Sequence, residues 1–107
     1  MSVLLEFSMF PTSDNCRDGA SVSKQVSRII KAIDLSGVKY KLTPMGTIIE
    51  TDTMREALDI IELAYEQVSE CDRVYSSLKF DIRKAKENRL VTKINSIEKE
   101  LGKSVCK

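Results

Sequence analysis

Lys79, Asp81 and Arg83 occupy alternate positions of one run, LKFDIR, and alternate positions of a strand point the same way. Three charged heads on one side of a strand are close enough to pair with each other, and with Glu6 or Glu50 if the strands carrying those residues lie alongside. Two readings follow. One is an ion-pair ladder, in which exposed pairs contribute little individually. The other sets the carboxylate of Asp81 or Glu50 against a cationic ligand, with Lys79 or Arg83 donating to a polar one. Ser21 and Ser23 open a helical segment after a turn-rich loop, where hydroxyls and backbone N–H groups either cap the helix or meet an anion. Met45 lies in a Pro-Met-Gly turn, as local packing or as a soft lip over a flat ring. Thr47 begins the strand after that turn.

Composition narrows the chemistry further. The chain has no histidine, which excludes Ser-His-Asp and Cys-His catalysis and the commonest zinc sets. A general base would have to be a carboxylate or lysine with a shifted pKa, and nothing in the sequence marks one, so neither an enzyme, a metal nor a cofactor is expected. Seventeen Lys and Arg against sixteen Asp and Glu leave no electrostatic footprint for nucleic acid. No run approaches the roughly 20 apolar residues of a membrane span, and Met1 to Phe10 lacks the basic start and cleavage pattern of a signal peptide. These features predict a cytoplasmic protein with no membrane or nucleic-acid partner. Cys16, Cys71 and Cys106 are odd in number and far apart, and read as free thiols.

The elements that must position these residues follow from periodicity. Val3, Leu5, Phe7 and Met9 alternate with Leu4, Glu6, Ser8 and Phe10 as a first strand, ended by Pro11, which has no N–H to give. Thr12 to Ala20 is a polar loop. Ser21 is placed to cap a helix striped by Val22, Val26, Ile29, Ile30 and Ile33 and stopped at Gly37. Val38, Tyr40 and Leu42 mark a second strand, and Thr43-Pro44-Met45-Gly46 turns into a third, Thr47 to Thr51.

Thr53 and Glu56 stand in capping-box register before a second helix, whose Met54, Leu58, Ile61, Tyr65 and Val68 share a face with Ala57 and Ala64. In Arg73 to Arg83, Val74, Ser76, Leu78, Phe80 and Ile82 point one way, and Tyr75, Ser77, Lys79, Asp81 and Arg83 the other. The run KAKENR after it reads as charged and solvated. Leu90, Ile94, Ile97 and Leu101 then predict a third helix. The order β-α-β-β-α-β gives an α+β sandwich, helices on one side of a four-stranded antiparallel sheet, with an additional C-terminal helix. At 107 residues the whole chain, 1–107, is a single-domain length. Leu4, Phe10 and Tyr75 among charges on the outward side predict an oligomer contact or ligand groove.

The first strand ending at Pro11, Ser21-Val22-Ser23, Ser36-Gly37-Val38-Lys39-Tyr40, Thr43-Pro44-Met45-Gly46-Thr47-Ile48-Ile49-Glu50, Arg73-Val74, Leu78 to Arg83 and Lys93 to Ile97 together resemble a known family. It is the small thiamine-binding-protein family, long catalogued as uncharacterised conserved proteins, with ferredoxin-like protomers assembled as tetramers. The resemblance implies a non-catalytic protein that binds thiamine or its hydroxymethylpyrimidine half at an oligomer-supported pocket, in a homotetramer built from dimers. By position it implies a lining of Pro11, Ser21, Met45, Thr47, Lys79 and Asp81. Such a pocket needs an apolar slot for the pyrimidine, polar partners for its nitrogens and tolerance of a thiazolium cation. Two departures stand out: the long TSDNCRDGA loop, and Glu50-Thr51-Asp52 and Cys71 where the family tends to have glycine-containing turns. The competing function on this fold is an oligomeric regulatory module that senses another metabolite such as an amino acid.

Overall fold

The computed structural model of the protein describes residues 1–16, 22–85 and 88–102. Strand β1 (Ser2–Pro11) leads through a short 3-10 turn (Asp14–Cys16) to helix α1 (Ser23–Ser36), the hairpin of β2 (Lys39–Thr43) and β3 (Gly46–Thr51), helix α2 (Met54–Glu66), strand β4 (Val74–Arg83) and helix α3 (Arg89–Leu101). The strands form one antiparallel sheet in the order β2-β3-β1-β4. This is the ferredoxin-like α+β fold with an added C-terminal helix.

The alternation in β1 decides the two faces. Val3, Leu5, Phe7 and Met9 are buried on the side covered by α1 and α2, where they meet Ile29, Ile33, Ile49, Ala57, Ile60, Ala64 and Val68. Helix α1 ends as its sequence indicates, with Gly37 at φ 80°, a left-handed conformation that glycine adopts without a Cβ penalty. At α2 the Thr53 hydroxyl accepts the Glu56 N–H at 3.1 Å, so the N-cap is in place. Gly46 is required by contact: a Cβ there would stand 2.9 Å from the Phe7 carbonyl oxygen, so any larger residue pushes β3 off β1.

Several expectations need correction. Pro11 is the last residue of the first strand, as expected, but it is still paired, sitting opposite Val74 in the β1–β4 ladder. Thr12 donates to the Arg73 carbonyl at 2.9 Å, so 12 and 73 form the hydrogen-bonded pair and 11 and 74 the one in between, where a missing N–H costs β1 nothing toward β4. The N-cap of α1 is Val22, which makes no side-chain cap, and Ser21 lies outside the described residues. The buried stripe of α2 is rotated from the expected one: Ala57, Ile60 and Ala64 face inward, while Leu58 and Tyr65 are exposed. Small residues at 57 and 64 bring the helix close to the sheet and carry the larger side chains to its flanks.

The free-thiol reading is overturned for two of the three cysteines. Cys16 and Cys71 form a disulfide and are both buried; Cys106 lies outside the described residues. The bridge ties the segment after β1 to the turn before β4, two places 55 residues apart in sequence that periodicity could not bring together. Asn15 reinforces the join, donating to the Glu70 carbonyl at 3.0 Å and accepting from the Asp72 N–H at 3.2 Å. Arg28 of α1 pairs with Glu70 at 2.6 Å.

Candidate functional site

The second face of the sheet carries Ser2, Leu4, Glu6, Ser8 and Phe10 of β1, flanked by Ile48 and Glu50 of β3 and by Lys79 and Asp81 of β4. Helix α3 lies across part of it, and its attachment is polar. The Arg89 guanidinium is 3% exposed; it donates from Nε to the Ser2 hydroxyl at 3.0 Å and from Nη2 to the Ser2 carbonyl at 2.8 Å and to the Asp81 carbonyl. Its Nη1 faces Asp81 Oδ1 at 2.9 Å. Glu50 completes the anchor. Its carboxylate accepts the Ser2 hydroxyl and the backbone N–H groups of Arg89, at 2.8 Å, and Leu90, at 3.4 Å.

Glu50 therefore caps α3 from a strand 39 residues away in sequence. Burial pushes its carboxyl up, but the hydrogen bonds from Ser2 and the two N–H groups, with Lys39 nearby, hold it below its ordinary value. Lys39 in turn donates to the Asn88 side chain at 2.6 Å, and Asn88 takes the left-handed conformation, φ 55°, that starts the helix. KAKENR thus ends on a buried residue, not a solvated one. A lone arginine after four charged or polar residues carries no sequence signal of burial; only its partners at Ser2 and Asp81 reveal it.

Between α3 and the sheet runs a groove of about 390 Å³, floored by Leu4, Ile48, Leu90 and Ile94 and bordered by Glu6, Lys41, Lys79 and Asp81. Glu6 and Lys79 stand directly opposite each other in the β1–β4 register, as the spacing expected for neighbouring strands. A second hollow of about 420 Å³ lies on the helix-covered side, between the β2–β3 turn and the start of α1, lined by Phe7, Val26, Ile30, Leu42, Met45 and Thr47 among others. It is mainly apolar, and among the described residues no charged side chain lines it.

Of the six residues expected to line one pocket, Ser21 lies outside the described residues and the other five are distributed. Lys79 and Asp81 border the groove; Met45 and Thr47 line the other hollow, on the opposite side of the sheet; Pro11 is buried at the far end of the β1–β4 ladder. Sequence reasoning missed Lys41, Ile48 and the α3 residues as parts of the groove, although the alternation of β2 and β3 could have placed the first two on its side. No helix among the described residues is long and apolar enough to cross a membrane.

Comparison with known proteins shows the family and the fold. The profile of the family described as "Thiamine-binding protein" matches residues 5–98. A UPF0045 protein of Methanocaldococcus jannaschii is 38% identical over 96 residues, covering 89% of this chain and 91% of the relative. A UPF0045 protein of Mycobacterium bovis is 30% identical over 102 residues, 94% of this chain and 96% of the relative. Among solved structures, a hypothetical protein of Methanocaldococcus jannaschii superposes with a TM-score of 0.74 at 36% identity, over 90% of this chain and 95% of that one. A Thermotoga maritima protein with a proposed part in thiamine biosynthesis or salvage superposes at 0.67 and 24% identity, over 87% of this chain and 98% of that one; that likeness shows the fold alone.

Proposed function

The chain belongs to the thiamine-binding protein family, and on that premise we propose that it is a non-catalytic binding protein for thiamine or its hydroxymethylpyrimidine half, with the groove beneath α3 as the site. The observation that carries this reading is an apolar floor, Leu4, Ile48, Leu90 and Ile94, bordered by two carboxylates and two ammonium groups. A flat pyrimidine is served by the apolar floor, and Glu6 or Asp81 can accept from its amino group or face a thiazolium cation, while Lys79 donates to a ring nitrogen or a hydroxyl. Among the described residues the hairpin hollow offers apolar surface and threonine hydroxyls without a charge for the cation. Assembly as a homotetramer built from dimers belongs to the same reading, supported by the apolar residues that β4 leaves exposed.

Titration calorimetry and thermal shift with thiamine, hydroxymethylpyrimidine and thiamine phosphate test it, because a ligand that binds only the folded state raises its stability by mass action. Glu6→Gln is expected to weaken thiamine binding about tenfold, the loss of one charge-assisted contact, and Thr47→Ala to leave it unchanged. Equal loss in both variants, or no response to any of the three compounds at millimolar concentration, rejects the groove.

A further inference from the structure

The Cys16–Cys71 bridge lies beyond Pro11, at the opposite end of β1 from the Arg89 anchor on Ser2, and it is not alone in holding its two segments together. Thr12 donates to the Arg73 carbonyl at 2.9 Å, the Asn15 side chain spans Glu70 and Asp72, and Arg28 pairs with Glu70 at 2.6 Å. Each cysteine is also fixed by its own turn, the Cys16 N–H donating to the Ser13 carbonyl at 3.2 Å and the Cys71 N–H to the Val68 carbonyl at 3.0 Å. These bonds flank both cysteines, whose Cα atoms stand 5.5 Å apart, so opening the S–S bond leaves two thiols side by side. A carboxylate oxygen of Glu70 joins them: it and the two Sγ atoms all lie within 4.8 Å of one another.

We propose that this cluster is a redox-controlled metal site: once reduced, Cys16 and Cys71 bind, together with Glu70, one thiophilic divalent cation of the zinc class. The thiolate is the form that ligates, and sulfur donors favour zinc over magnesium and calcium, which take oxygen. A tetrahedral zinc holds sulfur at about 2.3 Å and carboxylate oxygen at about 2.0 Å, a set that these side chains reach when the two sulfurs part and Glu70 draws in. The fourth position falls to water on the Glu70 side, where the side chain is 52% exposed. Two thiolates and a carboxylate exceed the dication by one negative charge; Arg28, already on Glu70, supplies the balancing positive one and orients the carboxylate. A dithiol performs the reduction. Its thiolate attacks one cysteine sulfur to form a mixed disulfide, its second thiol resolves that bond, and it leaves as its own disulfide, having passed two electrons and two protons to Cys16 and Cys71. The cation then displaces both thiol protons to solvent. Disulfide and metal are alternative closures of one joint, which stays closed in oxidising and in reducing surroundings alike.

The test uses the full chain in a Cys106→Ser background, so that the third thiol cannot ligate, reduced with a phosphine and desalted without oxygen. The protein is titrated with cobalt, whose thiolate charge-transfer band reports metal–sulfur bonds, and with zinc by calorimetry. The reduced protein is expected to keep its circular dichroism, to take up one ion per chain with the band present, and to melt higher with zinc; the oxidised protein is expected to do none of the last three. Cys71→Ser is expected to weaken zinc binding by at least about a hundredfold and Glu70→Gln by at least about tenfold. Where Cys71→Ser fails to fold, the comparison of reduced with oxidised parent protein decides by itself. A reduced protein that unfolds or takes up no zinc, uptake as strong in the oxidised protein, or a Glu70→Gln variant that binds as tightly as its parent overturns the proposal.

Discussion

The two faces of this sheet are covered in opposite ways. On one, α1 and α2 rest on a mainly apolar surface, from Val3 and Leu5 to Ile33 and Ala64, with Thr47 and Thr51 buried among it. On the other, α3 is held at its first residues by a buried arginine, a buried glutamate and a serine. The difference teaches what each face is for. Apolar burial is non-directional and builds the fold. A hydrogen-bonded anchor fixes one end of a helix in one orientation, and the length beyond it spans a groove that stays partly open, with Ile97 and Leu101 exposed.

The largest expected effect breaks the apolar face. Leu5 is fully buried at the centre of the middle strand, so Leu5→Ala is expected to cost about 3–4 kcal/mol of global stability, read by denaturant unfolding. Hydrogen exchange should show all four strands losing protection together. Arg89→Ala is expected to cost about 3 kcal/mol, the range for removing one partner of a buried ionic cluster. Here the loss is local: exchange accelerates in α3 while α1 and α2 keep their protection. Uniform loss across the chain would show that the two faces are not separable.

The smallest effect is a dependence on pH. Glu50 is held below its ordinary value, so its ionised form stabilises the α3 anchor fully above the unfolded carboxyl pKa of about 4.3, and that contribution is lost as pH falls through the lower folded value. Acidification below about pH 4 should therefore release α3 before the core unfolds, seen as earlier exchange in residues 89–91. Glu50→Gln should remove that step, because the amide does not titrate. Persistence of the acid-induced release in the Gln variant would assign it to another carboxylate.

The two helix-covered elements show how far the sequence reaches. In β1 the alternation of Val3, Leu5, Phe7 and Met9 identified the buried side residue by residue, because a period of two leaves one choice of face. In α2 the apolar residues are more numerous than one stripe can hold, and the expected set, with Leu58 and Tyr65 inward, was rotated from the observed one. Packing distance settled it: Ala57 and Ala64 fit against the sheet where larger residues would hold the helix away. The cysteines went further astray, since count and spacing speak to framework density and say nothing about two residues that the fold happens to juxtapose.

The candidate site was legible only in part. Lys79 and Asp81, placed on the outward side by strand alternation, do border the groove, and Glu6 does face Lys79. Met45 and Thr47 fall on the other side of the sheet, because Thr47 pairs with Phe7 and a pairing of opposite residues puts both on one face. Arg89 was read as solvated, since the partners that bury it come from residues 2 and 81.

Local chemistry written into consecutive residues determined the order of strands and helices, the turn at Gly46, the stop at Gly37, the cap at Thr53 and which strand positions share a side; each rests on interactions a few residues long. Only the tertiary structure decided that Cys16 meets Cys71, that Glu50 caps α3 and that Arg89 leaves water. Those outcomes depend on which distant segments are brought within bonding distance, and a buried charge is tolerated only where the assembled fold supplies its partners.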